Sequence, residues 1–84
     1  MQHERFFPAE LIHDLPYVSM TGNQLLCIEQ HHGMVSYQPG CVVFRTSAGD
    51  LTVMGTEISV SRYSACEAAL SGCIHAVQFK ADEG

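Results

Sequence analysis

Basic residues are scarce in this 84-residue chain, which has four of them against nine acidic residues. The formal net charge at pH 7 is therefore −5. Proteins that bind nucleic acid neutralise backbone phosphates with clusters of Lys and Arg, so this balance excludes nucleic acid as a partner. Prolines number only three and hydrophobic residues reach 46%, which excludes a Pro-rich or disordered chain. The length and composition predict one small, acidic globular domain.

Long apolar runs are also missing. The longest are about four residues, such as residues 41–44, whereas a membrane-spanning helix needs roughly 20. No apolar segment follows the first five residues, so we expect no signal peptide and a cytoplasmic protein. In a reducing compartment cysteine packs as a small hydrophobe, and the expectation is four buried, inert thiols. These are Cys27, Cys41, Cys66 and Cys73.

Histidine and cysteine spacings do not match a metal or catalytic site. Six residues separate Cys66 from Cys73, and Cys27 lies about 13 Å from His31 along an extended strand, at roughly 3.3 Å per residue. A nucleophilic pair could be drawn from Cys27 or Cys73 with His31 or His75, but cations that would activate the thiol are scarce. The sequence therefore predicts no catalytic residue, no metal, no cofactor, no small-molecule substrate and no enzymatic activity.

The first 16 residues differ in pattern from the rest. Apolar residues recur there at near-helical spacing, which predicts a short helical turn over residues 9–13, anchored by Phe6 and Phe7. From Tyr17 onward, short runs rich in Val, Ile, Leu and Thr are punctuated by glycines every six to ten residues. This rhythm predicts eight short strands, over residues 17–21, 24–30, 34–38, 41–46, 50–54, 57–63, 66–71 and 73–79.

The connections are too short for crossover helices, so neighbouring strands should pair antiparallel. We expect an all-β fold, a small meander that forms a sandwich, a roll or a partly closed barrel. An N-terminal segment (1–16) precedes the β-domain (17–79), and a tail (80–84) follows. A bulge near His75-Ala76 would place Ile74, Val77 and Phe79 on one face. The predicted core comprises Val18, Leu26, Ile28, Val43, Leu51, Val53, Ile58, Val60, Val77 and Phe79.

Four segments in order resemble the motifs of one family of proteins, the YabP/YqfC sporulation family. Residues 14–22 (DLPYVSMTG) resemble its opening D-L-P-x-[IV]-x-[LM]-x-G, and residues 28–34 (IEQHHGM) are similar to I-E-N-H-x-G-[IL], with Gln in place of Asn. Residues 51–60 (LTVMGTEISV) resemble L-x-I-x-G-x-x-L-x-I, and residues 70–79 (LSGCIHAVQF) resemble [LI]-x-G-x-I-x-x-[IV]-x-[FY]. The likeness is greater to the YqfC-like branch and extends over residues 11–79.

The resemblance implies a small β-rich, non-enzymatic protein, made in the mother cell during sporulation. YqfC-like proteins are typically encoded beside a larger membrane protein, which implies an integral membrane partner and a peripheral place at a membrane. The second motif contributes a candidate functional turn that contains Glu29, His31 and Gly33.

Edge protection is weak in this sequence, since Lys80 is its only lysine and no predicted strand contains proline. We therefore expect a homo-oligomer. The candidate interface combines the Phe6-Phe7 anchor with the small apolar stretch at Cys66, Ala68, Ala69 and Leu70. Two functions remain open: an interaction module that self-associates and docks on a membrane protein, or a structural subunit of a spore envelope that polymerises through β-edges.

Overall fold

The computed structural model describes residues 14–81, which form one antiparallel sheet of six strands that does not close into a barrel. The sheet order is β1-β2-β6-β5-β4-β3. The all-β prediction is confirmed. The predicted helical turn at 9–13 and the Phe6-Phe7 anchor lie outside the described residues. The strands are β1 (Tyr17–Thr21), β2 (Leu25–Glu29), β3 (Met34–Gln38), β4 (Cys41–Thr46), β5 (Gly49–Tyr63) and β6 (Glu67–Lys80).

The described strands number six rather than eight. The predicted strands 50–54 and 57–63 are a single strand, β5, and the predicted strands 66–71 and 73–79 are a single strand, β6. Glycines that suggested turns lie inside these two long strands instead. The same glycine freedom that permits a turn also permits a sharp bend in continuous β-structure.

Two glycines bring the backbones of β5 and β6 unusually close. A Cβ atom on Gly55 would overlap the carbonyl oxygen of Cys73. Gly72 has a φ of +143°, and a Cβ there would lie 2.7 Å from the carbonyl oxygen of Glu57. The pairing register shifts three times along this stretch. The long β5–β6 hairpin therefore bends across its middle rather than continuing as a flat ribbon.

One of these shifts confirms the bulge predicted near His75-Ala76. Met54 pairs with Ala76, and the next residue of β5 pairs with Ile74, so His75 is the extra residue. Ile74 is buried as a result, at 4% exposure.

The bent hairpin carries a smaller hairpin at each end. β2, paired with β1, joins residues 67–71 of β6, and β4, paired with β3, joins residues 49–54 of β5. Both smaller hairpins contribute to a single hydrophobic core, so the sheet folds over on itself. The core residues are Leu26, Ile28, Val42, Phe44, Leu51, Val53, Ile58, Ala68, Leu70 and Ile74.

The predicted core is correct along β2 and β5, and Val18 and Val60 pack against it while partly buried. In β4 the expected face is wrong, because Val42 and Phe44 are buried and Val43 is not.

The end of β6 also departs from the predicted core. Val77 and Phe79 pair with the buried Val53 and Leu51, yet they are 36% and 45% exposed. Directly paired residues share a face of the sheet, so these two lie on the core face. They lie at the far end of β6, beyond the residues 67–71 that pair with β2 and outside the hydrophobic core cluster.

Because the backbones of β5 and β6 approach closely at Gly55, a methyl group added there should destabilise the protein more than one added at Gly40. Gly55→Ala should lower the free energy of unfolding by about 1–3 kcal/mol, since the backbones of β5 and β6 must separate. Gly40→Ala is the matched control, because its Cβ would meet only ordinary contact at 3.5 Å, and its effect should stay within about 0.5 kcal/mol. Urea unfolding of the three proteins measures the difference. Equal midpoints for both variants would contradict the bend.

Candidate functional site: the motif turn and the sheet edges

The motif turn, residues 29–33, carries the chain from β2 to β3, which lies at the opposite edge of the sheet. The N–H groups of Gln30 and His31 both donate to the carbonyl oxygen of Cys66, at 2.6 and 3.1 Å. Gln30 adopts a left-handed conformation with φ +67°, which allows this reversal. The turn is thereby held against the β5–β6 connection.

The far end of the same turn is bonded to β4. The N–H of His32 donates to the carbonyl oxygen of Arg45 at 2.7 Å, and the N–H of Arg45 donates to the carbonyl oxygen of Gly33 at 2.8 Å. The motif turn thus connects both halves of the folded sheet through its backbone.

His31 fills the space between the two halves. It is 1% exposed, and its ring lies 5.2 Å from the ring of Phe44 and stacks on Tyr63 at 5.2 Å. Its Nδ1 accepts a hydrogen bond from the N–H of Gly33 at 2.9 Å, so the ring proton resides on Nε2. Within residues 14–81, Nε2 has no hydrogen-bond partner. The ring therefore acts as an aromatic core residue that also orders its own turn.

The structure brings His31 and Gly33 together, while Glu29 ends β2 as an exposed residue, opposite Tyr17 and Glu67. Glu29 takes no part in the described contacts of the His31 ring. Folding therefore explains His31 and Gly33 of the motif turn, whereas Glu29 is exposed at its start.

The segment before β1 is tied to the same region. Asp14 accepts a hydrogen bond from His32 through its carboxylate at 3.0 Å and from the Ser47 hydroxyl through its carbonyl at 2.8 Å. Both partners are in or beside the β4 end of the sheet, so β1 begins from a fixed position.

The predicted interface at the start of β6 is not an edge. Residues 67–71 pair with β2 on one side and β5 on the other, and Ala68, Ala69 and Leu70 are buried. Only Cys66, in the β5–β6 connection, is exposed. The interpretation of this stretch as a free strand edge is wrong, because the small side chains admit close packing within the chain itself.

Among the described strands, β1 and β3 lie at the two ends of the sheet order, and residues 75–80 of β6 have no partner strand on the side away from β5. We compare β1 and β3, the two strands that are open along their whole length. Their sequences, YVSMT and MVSYQ, contain no charged residue and no proline, the usual protections of an edge. Tyr17 and Met20 in β1 and Val35 and Tyr37 in β3 are each more than two-fifths exposed.

The two edges differ in regularity. All five residues of β1 pair with β2 in unbroken register. In β3 the register shifts at Val35, and the Tyr37 hydroxyl donates to the carbonyl oxygen of Ile58 at 2.9 Å. A bulge disrupts the outward row of backbone groups, so β1 presents the better template for another strand.

Adjacent histidines test the structural role of the motif turn. His31→Ala removes a buried ring from the core and should lower the free energy of unfolding by about 2–4 kcal/mol. His32→Ala is the control: its side chain is 42% exposed and its exposed hydrogen bond with Asp14 is worth less than about 1 kcal/mol. Chemical unfolding monitored by circular dichroism measures both. Similar losses in the two variants would contradict a core role for His31.

Family membership follows from comparison with known proteins. Residues 14–84 match the model of the YabP family, which covers most of the chain. No curated protein matches it. The match does not distinguish the YqfC-like branch. The matched residues include the motif turn, the bent β5–β6 hairpin and both sheet edges, and the chain belongs to the YabP family.

Proposed function

We propose that this chain is a non-enzymatic sporulation protein, a small β-rich interaction module that self-associates through β1. Its membership of the YabP family suggests a sporulation-related protein. The observation that carries the rest is the regular, uncharged and partly apolar edge at β1.

Antiparallel pairing of β1 with β1 of a second copy fits this edge. With the pair centred on Ser19, Val18 of each copy lies opposite Met20 of the other, and Tyr17 lies opposite Thr21. No charged side chains face each other in this pair. The net charge of −5 on each copy still gives a general repulsion between the two chains. The unpaired N–H and C=O groups of each edge become hydrogen-bonded, and two six-stranded sheets become one.

The difference between the edges favours a closed dimer over a polymer. An isologous β1–β1 contact uses the same edge of both copies and leaves no further β1 edge free. A fibre that grows edge to edge requires a second edge as well. β3 is bulged at Val35, and the open side of β6 carries the His75 bulge and the charged Lys80. A structural subunit of a spore envelope is therefore the second candidate function. The size of the assembly formed in solution distinguishes it from a dimeric interaction module.

A membrane protein in the mother cell is the proposed further partner. The support is the family resemblance, in which related proteins are encoded beside a membrane protein. The described residues contain no helix that could span a bilayer.

Opposite charges at the centre of the contact test the self-association. Ser19 is exposed, so Ser19→Lys and Ser19→Glu should fold normally, yet each places like charges directly opposite each other in a β1–β1 pair. Sedimentation velocity at tens of micromolar should show dimers of the wild type and monomers of either variant. An equimolar mixture of the two variants should regain the dimer. Gln78→Lys, an exposed change on β6, is the control and should leave the dimer intact.

A monomeric wild type would overturn self-association, and dimers that persist in Ser19→Lys would exclude β1 as the contact. Open-ended growth with concentration would favour the polymerising subunit. In an endospore former that lacks the native gene, Ser19→Lys should restore sporulation poorly, and co-expression with Ser19→Glu should restore it. Fractionation of the same cells tests the membrane partner, because the wild type should sediment with membranes.

A further inference from the structure

The bend in the β5–β6 hairpin also shapes an open cleft of about 480 Å³. It lies where the turn between β1 and β2 meets the middle of the long hairpin. One lining residue, Glu57, is acidic and none is basic. Glu57 has a left-handed φ of +54°, which is uncommon for a residue with a side chain. The lining residues are Asn23, Gln24, Thr56, Glu57, Ser71, Gly72 and Cys73.

An exposed thiol in this cleft has two polar partners. The Cys73 sulfur lies 3.6 Å from Nε2 of His75, and Nδ2 of Asn23 donates to the same sulfur at 3.8 Å. Sulfur forms its hydrogen bonds at longer distances than oxygen, so all three side chains form one cluster. Two elements, the β1–β2 turn and β6, supply it.

Backbone hydrogen bonds hold the cluster in place. The N–H of Ile74 donates to the carbonyl oxygen of Asn23 at 2.7 Å, and the N–H of Gly72 donates to that of Gln24 at 3.2 Å. These bonds flank Cys73 on both sides and fix the Asn23 amide next to its sulfur. His75 lies two residues further along the same strand, and its Nε2 lies within hydrogen-bond distance of the sulfur.

Cys73 differs chemically from the other three cysteines. Cys27 and Cys41 are partly buried, and Cys66 is exposed but has no described hydrogen-bond partner at its sulfur. The expectation of four buried thiols is therefore wrong. A neighbouring imidazole can accept the thiol proton, and an amide N–H stabilises the resulting thiolate, which is the reactive form of cysteine.

We propose that Cys73 is a thiol-modification site that forms mixed disulfides with small neutral or cationic disulfides. The Cys73 thiol gives its proton to Nε2 of His75, and the thiolate attacks one sulfur of the incoming disulfide. A new bond forms between Sγ and that sulfur while the original S–S bond breaks. The leaving thiolate takes the proton back from the imidazolium of His75. The external disulfide is the oxidant and the protein thiol is oxidised.

Charge determines which disulfides fit. Apart from the imidazolium that His75 forms during the exchange, the Glu57 carboxylate is the charged group of this cleft, so it disfavours anionic disulfides and favours cationic ones. Metal binding fits less well, since a catalytic zinc takes three protein ligands, and across the described chain no three His, Cys, Asp or Glu side chains converge.

Cystamine, a cationic disulfide, is the probe, and the full chain contains its own reference thiol. At pH 7 the rate of mixed-disulfide formation, measured by mass spectrometry of quenched peptides, should be roughly tenfold or more higher at Cys73 than at Cys66. His75→Ala should reduce the Cys73 rate to near that of Cys66 and leave Cys66 unchanged. Glu57→Gln should narrow the preference for cystamine over the anionic glutathione disulfide.

Equal rates at Cys73 and Cys66 in the wild type would overturn the proposal, and this comparison needs no variant to fold. An unchanged Cys73 rate in His75→Ala would also overturn it, because the imidazole would then have no part in the exchange. Asn23→Ala supplies a milder variant: it should slow Cys73 alone if the amide stabilises the thiolate. Ser19 is part of neither the cleft lining nor the Cys73 cluster. Ser19→Lys should therefore retain the wild-type ratio of the Cys73 rate to the Cys66 rate.

Discussion

The close contact between β5 and β6 at Gly55 and Gly72 is the constraint on which the rest of this structure depends. Because neither glycine has a Cβ, each backbone can approach the carbonyl of the opposite strand, and the long hairpin bends. The bend turns one half of the sheet toward the other, so that Leu26 and Phe44 contribute to the same core. A straight hairpin would leave the two halves as separate sheets, each with one apolar face in water, which a domain of this size cannot sustain.

The motif turn connects the two halves of the sheet that the bend brings together. It carries the chain from β2 in one half of the sheet to β3 in the other, and its backbone groups bond to Cys66 on one side and to Arg45 on the other. The His31 ring packs against aromatic rings from β4 and β5, so a residue type usually associated with binding contributes to packing here. The histidine and the glycine of the motif turn thus have a physical explanation in the fold itself.

Two of the surfaces that the described fold leaves open lie close together. One is the β1 edge, which is regular and uncharged, and the other is the cleft beside Cys73. They share the β1–β2 turn, since Asn23 contacts the Cys73 sulfur and also accepts the N–H of Ile74. The proposed interaction and the proposed modification thus involve neighbouring parts of one small domain.

Local pattern alone was sufficient for the fold class, for β1 to β4 and for the bulge at His75, because side-chain alternation and glycine punctuation are local properties. It could not tell a turn from a bend at Gly55 and Gly72, since glycine permits both. It could not orient β4, because the run CVVF is apolar on both faces. The edges depend on the pairing of β2 with β6, in which Leu26 meets Leu70. Such a contact joins residues distant in the chain, so only the tertiary structure decides which strands are covered and which thiol meets a histidine.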